Sequence, residues 1–143
     1  MPARTLLYQF LSNHTPNLSR RETIILEGLI CDLVCQELKA FFRVQFVHWF
    51  RLLKLSQEEE KIMLDTSFIK LIIEDTVATD TYDLDGIARY THHDREVIED
   101  VVLGRNTSPS AELLQRLMDL HRSARPDLYA EIQRKITAKL MEE

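Results

Sequence analysis

The sequence predicts an all-α protein, a bundle of helices, on three observations. Three Gly and four Pro in 143 residues are too few for the many tight turns of a β-rich chain. Apolar residues, 45 % of the total, recur every three or four positions through most of the chain. Two Ser-x-x-Glu segments, Ser19 to Glu22 and Ser56 to Glu59, have the form of capping boxes, in which the hydroxyl and carboxylate satisfy the first free N–H groups of a helix. The size, 16.8 kDa, allows one domain or a small domain with an extension.

Taken in order, Leu6, Leu7, Phe10 and Leu11 predict a short amphipathic helix over 5–11, stopped at Asn13-His14-Thr15-Pro16-Asn17. From Ser19 onward Leu26, Ile30, Val34, Leu38, Phe42, Phe46, Trp49 and Leu53 form one stripe. Ile25, Leu29 and Leu33 widen its first half. One helix of about 35 residues would be roughly 50 Å long, more than a small domain can cover. The sequence therefore predicts a homodimer whose interface is Val34, Leu38, Phe42, Phe46, Trp49 and Leu53. Residues 1–56 read as a helical extension for dimerisation, and residues 57–143 as a helical domain.

The second capping box opens a helix that Ile62, Leu64, Phe68, Ile69, Ile72, Ile73 and Val77 carry unbroken towards Thr79. Asp83 caps a helix over 84–90, and Thr91-His92-His93 makes a turn. Asp94 opens the next helix, which Gly104 ends as a left-handed cap. Ser108-Pro109 starts another, with Leu113, Leu114, Leu117, Met118 and Leu120 on its apolar face. Arg125-Pro126-Asp127 ends that helix and begins the last, over 128–141.

Within residues 84–120, Ala88 provides the small contact that two steeply crossing helices need, while Ile98 and Val101 bury the second helix. With Gly104 and Pro109 following, this spacing resembles the helix-turn-helix of Cro and phage-repressor proteins. The resemblance implies a second helix in the DNA major groove, with the first helix and the following loop on phosphates. Carried over, the groove-facing positions are Asp94, Arg95, Glu96, Glu99 and Asp100, four of them acidic. Leu84-Asp85 stands where a Gln is frequent, and His92 stands where the turn usually has Gly. Cations that could serve DNA are Arg20, Arg21, Lys39, Arg43, Arg51 and Lys54 on the long helix, and Arg89, Arg95 and Arg105 in the motif. The loop Arg105-Asn106-Thr107-Ser108 is the best candidate for phosphate contacts, being polar and next to a helix start.

Charge is unevenly spread along the chain. Residues 1–56 carry seven Lys/Arg against four Asp/Glu; residues 57–100 carry four against thirteen; residues 101–143 carry seven against six. A polyanion would prefer the two ends to the middle. Cys31 and Cys35, one helical turn apart among apolar residues, read as buried, inert thiols of a reducing, cytoplasmic protein. With His48 they fall short of the four ligands usual for structural zinc, so no metal or other cofactor is expected. Met1-Pro-Ala-Arg leads into only a short apolar stretch, and charges interrupt residues 24–55, which predicts neither a secretory leader nor a membrane span. No nucleophile with a base and no Gly-rich phosphate loop points to an enzyme or to a small-molecule substrate. The sequence thus predicts a bacterial-type transcription regulator that binds double-stranded DNA as a homodimer. The alternative is a protein–protein adaptor on the same scaffold.

Overall fold

Both capping boxes form as expected and fix where the long helices begin. Ser19 Oγ accepts from Glu22 N at 3.1 Å, and Ser19 N donates to Glu22 Oε1 at 3.3 Å. Ser56 and Glu59 repeat the exchange, at 3.2 Å in both directions. The computed structural model describes residues 19–141 and contains only helices there: α1 (Arg20–Gln45), α2 (Val47–Leu52), α3 (Gln57–Ala78), α4 (Leu84–Thr91), α5 (Arg95–Val102), α6 (Ala111–Ala124) and α7 (Pro126–Met141). The helix expected over 5–11 lies outside the described residues. No helix among those described is long and apolar enough to cross a membrane.

The stripe over 20–55, compatible with one helix of about 35 residues or with two, forms two. At Phe46 the backbone leaves helical geometry, with φ −103° and ψ 15°, although its N–H still reaches Phe42 O at 2.9 Å. The short α2 that follows turns Phe50 into the core and leaves Trp49, Leu52 and Leu53 outside. Lys54 ends α2 in the left-handed region, φ 54°, with Leu55 N–H on Phe50 O and its own N–H on Arg51 O. This is the two-bond Schellman closure, on a residue with a Cβ to accommodate.

Half of the expected dimer interface is covered within the chain itself. Val34, Leu38 and Phe42 are 1 %, 0 % and 1 % exposed within the single chain. Their i, i+4 row on α1 is taken up by α3 and by α7, which folds back along it. Phe42 meets Phe68 edge-to-face at 6.4 Å. Phe46 is half-buried, whereas Trp49 and Leu53 are 62 % and 57 % exposed. Residues 57–143 thus cover most of the long helix after all, because α7 folds back along it beside α3. One core joins Ile30 of α1 to Ile136 of α7 and runs through both sides of the 56/57 boundary.

The remaining boundaries need one adjustment. Helix α3 is continuous, α4 begins under Asp83, and α7 begins with Pro126 at its first position. The cap of α6, however, is Ser110 and not Ser108: Ser110 Oγ accepts from Leu113 N at 3.1 Å. Ser108 N–H is already held by Asn106 Oδ1 at 3.0 Å in a turn of its own, so Pro109 stays just outside the helix. Helix α3 is the central strut, packed against α1, α5 and α6.

Candidate nucleic-acid interface

The pair α4–α5 is built by local chemistry. Asp83 Oδ1 accepts from Gly86 N at 2.7 Å and starts α4. At its other end the buried Thr91 hydroxyl donates to Ile87 O at 2.9 Å. His92 then takes φ 57°, ψ 40°, the left-handed conformation in which glycine is least strained. His93 N–H on Ala88 O and His92 N–H on Arg89 O complete the closure. Arg116 of α6 donates to Thr91 O at 3.0 Å and ties the turn to the next helix. Ala88, Ile98 and Val101, the residues that the spacing selected, are all buried, as is Ile87 beside them, so both helices pack on the core. Gly104, φ 77°, closes α5 as expected, with its N–H on Val101 O and Arg105 N–H on Asp100 O.

The outward chemistry of α5 is acidic. Its one cation, Arg95, sits between carboxylates: Nε donates to Glu99 Oε1 at 2.7 Å and an Nη to Asp85 Oδ1 at 2.9 Å. Those bonds, that to Glu99 first, hold its guanidinium even further above neutrality than usual. Arg105 reaches back to Asp100 at 3.4 Å while remaining largely exposed. In the loop expected to hold phosphate, the Asn106 carboxamide oxygen is engaged with Ser108 N; Thr107 and Ser108 are exposed.

The other candidate cations are not gathered on one surface. Lys39 pairs with Asp65 at 3.0 Å and lies over the Phe68 ring; Arg43 reaches Glu60 at 3.7 Å. Both therefore tie α1 to α3. Arg20 and Arg21 are exposed at the start of α1, while Arg51 and Lys54 are exposed beyond its end. The intervening helix has 26 residues, about 39 Å of rise, so the two pairs lie at opposite ends of the molecule's long helix. Arg89 is exposed on α4 beside Tyr90, whose hydroxyl donates to Asp119 of α6.

Sequence reasoning missed a buried polar cluster that ties α3, α6 and α7 together. Asp75 Oδ2 meets His121 Nε2 at 2.6 Å, and His121 Nδ1 meets the Tyr129 hydroxyl at 2.8 Å. An Nη of Arg125 donates to both oxygens of Asp75, at 2.9 and 3.1 Å, with the guanidinium over Phe41. With Nε2–H donating to the carboxylate, Nδ1 is left to accept from Tyr129. Burial, the largest influence on Tyr129, keeps its phenol well above the ordinary range and hence a donor. Asp75 and His121 are buried, so the cluster reads as a structural clasp closed to ligands. One signal was available: Asp75-Thr76 falls between Ile73 and Val77 on a face otherwise apolar.

A second missed feature is an apolar groove of about 130 Å³ between α2 and α3, lined by Phe46, Trp49, Phe50, Leu53, Met63 and Leu71 among others. Exposed Leu52 and Ile62 extend the same apolar surface. Comparison of the chain with protein-family models, curated proteins and solved structures finds no match.

Proposed function

We propose that this chain is a protein-interaction module whose acidic α4–α5 face docks on a basic partner. The observation that carries the reading is the placement of Arg95. The cation best placed to enter a DNA groove is spent on Asp85 and Glu99, and Asp94 and Glu96 stand exposed beside it. A face of that charge repels a phosphate backbone and attracts lysine- and arginine-rich segments. The apolar surface around Trp49 offers a place for two copies to pair. Exposed Arg51 and Lys54 on the α2 side and exposed Glu58 and Glu59 on the α3 side flank the turn that joins its two walls, opposite charges that a second copy can match.

A DNA-binding homodimer is the second reading. It is favoured by Arg20, Arg21, Arg51, Lys54 and Arg89, which make no ion pair among the described residues. Two titrations separate the readings. The interaction module leaves random duplex DNA unshifted at physiological salt and binds an arginine/lysine-rich peptide. Glu96→Lys with Glu99→Lys abolishes that binding, and Glu58→Lys, on α3, leaves it intact. Retention of DNA with a steep loss as salt rises would instead establish phosphate contacts and sink the first reading.

A further inference from the structure

Helix α1 places Cys31 and Cys35 one turn apart on one side, the i, i+4 spacing that lets two side chains grip one ion. Helix α6 brings a third sulfur to Cys35, whose Sγ lies 3.9 Å from Met118 Sδ. Both thiols are half-buried, not sealed, while Met118 is completely buried. The Cys35 S–H thus has the Met118 thioether as its acceptor. We propose that Cys31, Cys35 and Met118 form a three-sulfur site for a single Cu(I) ion.

The donor set selects the metal. Thiolate and thioether sulfurs are soft ligands that favour Cu(I). Structural zinc asks for four ligands, and no group of three His, Cys, Asp or Glu suited to a metal occurs among the described residues. Metal–sulfur bonds of about 2.3 Å arranged in a trigonal plane set the sulfurs about 4 Å apart, which is the Cys35–Met118 separation already present.

The protons and charges balance. Binding replaces both thiol protons with the metal and releases them to solvent. Two thiolates, one thioether and Cu(I) leave one net negative charge, held where the thiols are only half-buried. No electron is transferred.

The test is an anaerobic titration of the full chain with Cu(I) against the chromophoric chelator bathocuproine disulfonate. One Cu(I) per chain is expected, with the mass by light scattering unchanged and both thiols protected from iodoacetamide. Cys31→Ser and Cys35→Ser should each weaken binding at least about a hundredfold, more than the loss of an outer-shell partner typically does. Met118→Leu keeps the volume and both thiols, and should weaken it about tenfold. Circular dichroism verifies that each variant folds; should a serine variant unfold, alkylation of the unaltered chain with and without Cu(I) decides. Three results would overturn the site: copper uptake with both thiols still alkylated, equal affinity in Met118→Leu, or one Cu(I) per two chains with a doubled mass.

Discussion

Two of this molecule's arginine–carboxylate contacts sit in opposite surroundings. Arg125 meets Asp75 where the carboxylate side chain is 6 % exposed and its other partner, His121, is fully buried. Arg95 meets Asp85 and Glu99 in open solvent. The bonds are of similar length, but their consequences differ. Water competes for the second set and salt screens it, so it shapes the field of a surface more than it holds the fold. In the first set Asp75 and His121 are out of water's reach and only Arg125 meets solvent, so the two buried groups depend on their partners. The same chemistry therefore serves stability in one place and recognition in the other.

The largest effect should come from breaking the buried set. Asp75→Ala strips His121 and Arg125 of their shared acceptor and leaves the buried His121 N–H unpaired, which together with the lost charge-assisted bonds costs about 3 kcal/mol. Urea denaturation should show a loss of that order; a loss below about 1 kcal/mol would mean that water enters the cluster. Phe42→Ala should cost about as much, 3–5 kcal/mol for a large buried aromatic, at every protein concentration, because its partners lie in the same chain. Trp49→Ala should hardly change the unfolding midpoint while lowering the mass of any oligomer seen by light scattering. An unfolding midpoint for Phe42→Ala that depended on concentration would restore α1 as a subunit interface.

These contrasts mark what could be read from the sequence. Caps and periodicity located almost every helix, because a Ser19–Glu22 box or a Gly104 closure is made within a few residues. The break at Phe46 has no such mark: neither Gly nor Pro occurs there, and the stripe runs on unchanged. What ends α1 is the gain from burying Phe50, which depends on where α3 lies. For the same reason Val34, Leu38 and Phe42, on the stripe that suggests a dimer seam, are covered by their own chain, since a stripe records that a face is covered and not which chain covers it. The Asp75 cluster joins residues 46 to 50 positions apart, beyond any local pattern. At the candidate site, the acidity of α5 was legible; that Asp85, ten positions away, clamps Arg95 was not.

Alkaline titration sharpens the comparison through two tyrosines. Hydrogen bonding to Asp119, then burial, lifts Tyr90 from the usual 10 to about 12, and burial lifts Tyr129 well above 10. In both the fold prefers the neutral phenol. Each contribution to stability is fully present below pH 10; that of Tyr90 is lost as the pH rises through about 12, and that of Tyr129 as the pH rises through its own raised value. Tyrosinate absorbance should therefore show Tyr90 ionising late on the folded chain. Tyr129 should ionise only together with the loss of helical circular dichroism. A smaller gain is expected at the α4–α5 turn. His92→Gly removes a Cβ from a left-handed position, φ 57°, and should stabilise by about 1 kcal/mol, read as a shift in the urea midpoint.

The smallest change in stability should accompany the most telling change in binding. Arg95→Gln removes the cation between Asp85 and Glu99 but opens no cavity, because all three side chains are solvated. The thermal midpoint should stay where it is. The α4–α5 face, however, gains a full negative charge and frees two carboxylates. Affinity for an arginine/lysine-rich peptide should rise several-fold at low salt, and the gain should shrink as salt is added, since exposed charges more than about 10 Å apart are screened at 0.1 M. If the face instead served DNA through Arg95, the same substitution would abolish a salt-sensitive gel shift and leave peptide affinity unchanged. One variant, assayed against both ligands, thus reads the sign of the surface directly.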